Sequence, residues 1–228
     1  MLVASFPAAA FDTNCYVLAA APGEEALVVD PGIGIEEPLD EVLREHRLRP
    51  VAVLLTHGHL DHTFSVTPVC GARGIPAYVH PGDDFMLADP MQGVSPETRM
   101  LFGGRLEWTE PDDVKPLTDG QRLTIAGLTV TVDHAPGHTP GSVTFRLPYD
   151  EAPEVMLSGD LLFAGSVGRT DLPGGDTEQM MASLARAVLS RDDDTVVLPG
   201  HGPSTTIGRE RATNPFLRGL AATPARGL

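Results

Sequence analysis

Short apolar runs, many of them rich in Val, Ile and Leu, recur along the 228-residue chain, and each ends at a turn residue or a polar side chain. They predict strands over 2–6, 14–18, 27–30, 51–56, 77–80, 122–125, 128–134, 142–147, 155–158 and 195–199. Helical spacing appears between them. Leu39, Val42 and Leu43 predict a helix over 38–47, a second is expected over 63–72, and Met180, Met181, Leu184 and Val188 form the apolar face of a third over 177–189. Thr177 stands at the start of that third helix, with Met180 where a capping box would carry Glu. Strands and helices mixed through one continuous chain predict an α/β layered fold in a single domain, 1–228. Residues 81–120 are the least regular. They hold Pro81, Pro90, Pro96, Pro111, Pro116 and the only Trp, Trp108. Such a stretch is either a surface connection or a wall over a site.

Four strand ends share one design. Val28-Val29-Asp30, Leu54-Leu55-Thr56-His57, Leu157-Ser158-Gly159-Asp160 and Leu198-Pro199-Gly200-His201 are each an apolar run stopping at a side chain with chemistry. Ligand sites in open α/β sheets gather at such ends.

Charge and composition narrow the function. Sixteen Lys and Arg against 31 Asp and Glu give a net charge of −15, which repels phosphate backbones and counts against nucleic acid as a partner. No apolar run reaches the ~18 residues of a membrane span. Residues 1–23 carry no Lys or Arg and are interrupted by Pro7, Asp12 and Asn14, unlike a secretory signal. Cys15 and Cys70 cannot build a disulfide framework. The expectation is a cytoplasmic protein acting on a small molecule.

The candidate chemistry lies in His57-Gly58-His59-Leu60-Asp61-His62, which follows the predicted strand 51–56 directly. Three imidazoles and a carboxylate within six residues, buried without a metal, would be polar groups lacking partners. His138, between Gly and Pro turns in Pro136-Gly137-His138-Thr139-Pro140-Gly141, adds a ligand, and Asp160 and His201 add two more. Seven oxygen and nitrogen ligands suit two adjacent divalent ions with one carboxylate bridging, Zn²⁺ first and Fe or Mn²⁺ also accommodated. A structural zinc site is usually closed by four ligands, often Cys, so this set reads as catalytic.

These strings, in this order and spacing, resemble the metallo-β-lactamase superfamily over nearly the whole chain. The resemblance implies an αββα four-layer sandwich with the site at one edge. It implies that His57, His59 and His138 hold one ion, that Asp61, His62 and His201 hold the other, and that Asp160 bridges. Asp30 matches the position that supports the ligand loop from behind. Within the superfamily the chain is similar to short glyoxalase II-like hydrolases, through Thr13-Asn14-Cys15-Tyr16, Gly168-Arg169-Thr170-Asp171, Gly202-Pro203 and Asn214-Pro215-Phe216-Leu217. Only a short stretch follows His201, without the helical domain that binds glutathione in full-length glyoxalase II.

Two metals can lower the pKa of a bound water toward ~7, so a metal-bound hydroxide can attack a thioester carbonyl with no protein nucleophile. Asp61 could also orient that water or shuttle a proton. The fork of Arg169 suits a substrate carboxylate, and equally an ion pair with Asp171 or Asp176. Tyr16, Phe163 and Trp108 are candidates to line a pocket, and His134 to support His138. The expected activity is hydrolysis of a small acyl thioester. The alternatives are a mononuclear iron persulfide dioxygenase and a lactone or β-lactam hydrolase, with an inactive metal-binding module as the reading from another class.

Overall fold

Three neighbouring strands are apolar at nearly every position because both of their faces are covered. In β2 (Asn14–Ala19), Cys15, Val17 and Ala19 face one hydrophobic cluster while Tyr16 and Leu18 face another. In β3 (Glu25–Val29) and β4 (Arg49–Leu54), Ala26, Val28 and Val53 join the first cluster, and Leu27, Val29, Ala52 and Leu54 join the second. The side-chain period of two sends alternate residues to opposite sides of the sheet, so continuous apolar sequence means double coverage. The computed structural model describes residues 1–102, 108–148 and 153–221.

The first sheet runs β1 (Leu2–Pro7), β2, β3, β4, β5 (Ala77–Val79), β6 (Val114–Pro116) in sequence order. It is antiparallel at the β1–β2 and β2–β3 pairings and parallel from β3 to β6. Each parallel step needs a crossover, and α1 (Glu36–His46) and α3 (Val66–Arg73) supply the first two. Their residues Leu39, Leu43, Val66, Val69 and Cys70 close the first cluster from outside. The second sheet is β12 (Thr205–Thr206), β11 (Val196–Pro199), β10 (Val155–Gly159), β9 (Val143–Leu147), β8 (Leu128–His134), β7 (Arg122–Ile125). Val130, Val132, Phe145 and Leu157 from this sheet meet Leu18, Leu27 and Leu54 from the first in the central cluster. A third cluster packs Met156 and Val197 against Met180 and Leu184 and against Leu217 of the helix Pro215–Ala221. The layers are helix, sheet, sheet, helix, as the pattern and the resemblance predict.

Several boundaries move. β4 stops at Leu54, two residues before the expected end, because Thr56 is drawn into hydrogen bonds with Asp30. The second expected helix divides into α2 (Leu60–Thr63) and α3, so that the ligand-bearing turn is separate from the crossover. The third begins as α6 (Thr177–Ser183) and continues as a π turn over Leu184–Val188. Its cap is Asp176, not Thr177: the Asp176 carboxylate accepts from Gln179 N, and Gln179 Nε2 donates back to it. β6 and β12 are unexpected strands of three and two residues, defined by backbone pairing and carrying no apolar pattern. The irregular stretch forms α4 (Asp84–Ala88) and α5 (Pro96–Phe102) with short 3₁₀ turns before and between them. Residues 103–107 of it lie outside the described residues.

Candidate metal centre

The two sheets touch at one rim. Val143 N donates to Thr56 O and Asn14 N donates to Gly200 O, each bond crossing from one sheet to the other. All four chemically marked strand ends meet there. Asp30, which follows β3, holds a left-handed backbone (φ 51°) and aims its carboxylate sideways at the next strand end. That carboxylate accepts from Thr56 N at 2.8 Å, Thr56 Oγ1 at 2.6 Å and His62 Nδ1 at 3.0 Å. It supports the ligand loop from behind, as the resemblance implies.

Hydrogen bonds fix the tautomers of the imidazoles. Thr56 Oγ1 gives its proton to Asp30, so His57 Nδ1–H, 3.1 Å away, is the donor to that hydroxyl. His57 Nε2 is then bare, buried and without a partner. His138 Nδ1 donates to the Arg169 carbonyl at 2.7 Å, and His201 Nδ1 to the Phe11 carbonyl at 3.0 Å. Four of the five rings therefore present Nε2 to one space, with the outer nitrogen pinned, which is the usual arrangement behind metal-bound histidine. His59 turns the other way. Its Nδ1 faces His138 Nε2 at 2.8 Å.

The facing atoms form the two triads expected. His57, His59 and His138 make one, and Asp61, His62 and His201 make the other, with ligand atoms within 4.8 Å of one another in each. His201 Nε2 lies 3.2 Å from Asp61 Oδ2 and 3.3 Å from His62 Nε2, and His62 Nε2 lies 3.5 Å from Asp61 Oδ2. Ligands ~2.1 Å from a tetrahedral ion stand about 3.4 Å apart, so the second triad already has the spacing of a coordination shell. Asp160 spans both: its Oδ2 is 3.4 Å from His138 Nε2 and 3.7 Å from His201 Nε2, and its Oδ1 is 3.4 Å from His62 Nε2. The buried Nε2 of His57 and the buried Oδ1 of Asp160 have no hydrogen-bond partner, which is unfavourable on its own and would be relieved by cations. The residues fit a pair of divalent ions.

The backbone gives way to let this happen. A Cβ on Gly200 would lie 2.2 Å from Asp160 Oδ1 and 2.7 Å from His62 Cε1, so only glycine lets β11 end against the two ligands. The electrostatics divide between the triads. Burial, reinforced by the neighbouring imidazoles, holds His57 well below the ordinary histidine value, and burial lowers His59 to about 3. Burial opposes protonation of His62 and His201 as well, but the Asp61 and Asp160 carboxylates outweigh it and raise both. Those cations in turn hold Asp61 and Asp160 below the usual carboxylate range against their own burial.

A sequence profile of the metallo-β-lactamase superfamily matches residues 8–201, which include every residue of this centre. The chain belongs to the metallo-β-lactamase superfamily. It is 34% identical to the hydroxyacylglutathione hydrolase GloC of Haemophilus influenzae, over 95% of this chain and 98% of that one. Among solved structures it is similar to the B3 metallo-β-lactamase BLEG-1, at 40% identity and a TM-score of 0.83, covering 95% of this chain and 99% of that one. It is also similar to TTHA1623, solved in a di-iron-bound form, at 38% identity and a TM-score of 0.76, covering 95% and 100%. The chain is thus a homologue of metallo-hydrolases, with a His and Asp cluster compatible with two metal ions.

A cavity of about 300 Å³ opens on the triads. His59, Asp61, His138, Asp160 and His201 form its floor, and Phe11, Leu60, Val94 and Leu172 its apolar walls, with Ser95 and Thr98 beside them. Part of the irregular stretch is therefore a wall of the site. Arg169 lies at the edge, and its guanidinium is held by Asp171 through Nε at 2.6 Å and Nη2 at 2.8 Å. Tyr16 is buried and donates to the Pro199 carbonyl, and Trp108 donates to the Leu87 carbonyl within the first cluster. The ring of Phe163 sits edge-on to His201, 5.9 Å between centroids. His134 reaches His138 only through its loop, by Nε2 donating to the Pro140 carbonyl at 2.8 Å. Among the described residues, no helix is long and apolar enough to cross a membrane.

Sequence reasoning missed the supports that come from elsewhere in the chain. Thr13 Oγ1 donates to Asp61 Oδ2 at 3.0 Å, the Phe11 carbonyl orients His201, and Asn14 Nδ2 bonds the carbonyls of Pro199 and Gly202. The Thr-Asn-Cys-Tyr string marked three of these contacts without revealing their purpose. Nothing in the sequence signals a backbone carbonyl.

Proposed function

We propose that this protein hydrolyses a small acyl thioester, with a hydroxyacyl group joined to a thiol carrier as the substrate class. The observation that carries the reading is the cavity floor, where five of the seven candidate ligand side chains line an otherwise largely apolar pocket and His57 and His62 are grouped with them. Bound there, two divalent ions would supply activation of water at neutral pH and Lewis acidity toward a carbonyl oxygen. The chain's own part is arrangement. His57, His59, His138, Asp61, His62, His201 and Asp160 would hold the ions. Asp61 would orient a water or carry its proton. Phe11, Leu60, Val94 and Leu172 exclude bulk water and cover the acyl group. A thiolate is a good leaving group and needs no strong acid from the protein.

Neither cysteine, nor the serine that precedes Asp160, is available as a competing nucleophile. Cys15 and Cys70 are buried, and burial raises both thiols, Cys70 to about 12. Ser158 Oγ is buried and donates to the Leu162 carbonyl. Similarity to GloC supports the thioester. Similarity to BLEG-1 supports a second reading, hydrolysis of a β-lactam ring by the same floor.

Metal-loaded protein assayed against thioesters with different thiol carriers, β-lactams, and glutathione persulfide with oxygen uptake tests both. Thioester cleavage that His57→Ala and Asp160→Ala abolish is the expected result. Cleavage of β-lactams alone transfers the function to the second reading. Oxygen consumption with persulfide and no thioester cleavage overturns the hydrolase.

A further inference from the structure

Asp83 belongs to neither triad. It ends the 3₁₀ turn Pro81–Asp83 after β5 and is fully buried. Its carboxylate accepts three hydrogen bonds. Oδ2 takes Gly58 N at 2.8 Å and Thr139 Oγ1 at 2.7 Å, and Oδ1 takes Gly141 N at 2.6 Å. Gly58 lies between His57 and His59. Thr139 is next to His138, and Gly141 is three residues beyond it. One carboxylate therefore joins the two loops that supply all three nitrogens of the first triad.

The fit is close on both sides. A Cβ on Gly141 would stand 2.6 Å from Asp83 Cγ, and a Cβ on Gly58 would stand 3.1 Å from Asp83 Cβ, so both loops reach the carboxylate as bare backbone. The three partners are neutral groups. Burial raises the Asp83 pKa and the three hydrogen bonds pull it back. Burying a carboxylate on neutral donors is costly. Packing alone would be served better by an apolar side chain, so the charge is kept for what it holds together.

We propose that Asp83 is a positioning residue that sets the spacing between the His57–His59 loop and the His138 loop, and so the affinity of the ion held by the first triad. It complements Asp30, whose carboxylate braces Thr56 and His62. The proposal rests on the metal reading of the site. Supports behind metal ligands commonly change metal affinity 10- to 100-fold, and misplacements of about 0.5 Å matter in such constellations. Asp83 touches no residue of the second triad in its hydrogen bonds, so the effect falls on one ion.

The test is Asp83→Asn. Asn keeps the shape but has one acceptor oxygen, so whichever way it turns its NH₂ faces the N–H of Gly58 or Gly141. Stepwise dissociation constants are measured by chelator competition with Zn²⁺, in the wild-type and in a His201→Ala background that assigns the remaining ion to the first triad. The Co²⁺-loaded absorption spectrum and the melting of the metal-free protein are recorded alongside. The expected result is a 10- to 100-fold weaker first ion, a second ion within about 3-fold of wild type, and a changed Co²⁺ spectrum. If Asp83→Asn does not fold, Thr139→Val removes one of the three donors and is expected to weaken the same ion about 3- to 10-fold. Wild-type affinity for both ions in whichever variant folds, or equal weakening of both, overturns the proposal. Failure of the wild-type protein to bind Zn²⁺ at all removes the metal reading itself.

Discussion

Asp30→Asn isolates the charge behind the ligand loop. Asn tolerates the left-handed backbone that Asp30 adopts, so the substitution adds little strain. It keeps one acceptor, which can serve Thr56 N in place of Oδ1. The new NH₂ then occupies the place of Oδ2, where Thr56 Oγ1 and His62 Nδ1 both donate. The hydroxyl can rotate and accept. The imidazole cannot accept at Nδ1 unless its proton moves to Nε2, which is the atom that faces Asp61, Asp160 and His201. The variant thus either loses a buried charge-assisted bond or turns His62 into a poor ligand. Breaking one partner of a buried pair costs about 3–5 kcal/mol. For a chain of this size each kcal/mol lowers Tm by about 2–4 °C, so the metal-free variant is expected to melt roughly 6–20 °C below wild type. The second ion, on Asp61, His62 and His201, is expected to bind 10- to 100-fold more weakly. Differential scanning calorimetry on chelator-treated protein and Zn²⁺ titration calorimetry read the two effects. A melting change under 2 °C together with unchanged affinity would refute the reasoning.

Two other outcomes follow from the same geometry. His57 and His59 titrate below the ordinary histidine value, so below pH ~6.5 the unfolded chain takes up protons that the folded metal-free protein refuses, and stability falls toward acid. His62 and His201 titrate above it, so above pH ~6.5 the fold retains protons that the unfolded chain sheds, and stability falls toward alkali. Each group contributes up to about 1.4 kcal/mol per pH unit, so urea melts of metal-free protein should show a maximum near pH 6.5. A flat profile from pH 5 to 8 contradicts the division between the triads. Gly200→Ala drives a methyl into Asp160 and His62 and is expected to weaken Zn²⁺ binding at least 10-fold, while Gly71→Ala, a helical position with open space at its Cβ, leaves it unchanged. Equal affinities in the two variants would show that the β11 end is not tightly fitted.

The ten predicted strands and the layered class were legible from apolar runs, continuous where both sheet faces are buried, as in β2, β3 and β4, and alternating with exposed positions where one face is open, as in β1 and β7. Leu27-Val28-Val29 can be read without coordinates. β6 and β12 were not legible, since a strand held only by backbone pairing at a sheet edge leaves no apolar pattern. The Asp176 cap was misplaced by one residue because Asp and Thr both cap well and only the backbone angles choose between them.

The same division runs through the site. His and Asp carry their ligating atoms whatever surrounds them, so the seven candidate positions could be picked out in the sequence alone. Which nitrogen of each ring faces inward and which loops Asp83 joins were decided only by tertiary structure. Those facts depend on hydrogen bonds between segments far apart in the chain, such as Thr13 to Asp61 and His201 to the Phe11 carbonyl. A donor's partner is a matter of distance and angle, and no residue type encodes either.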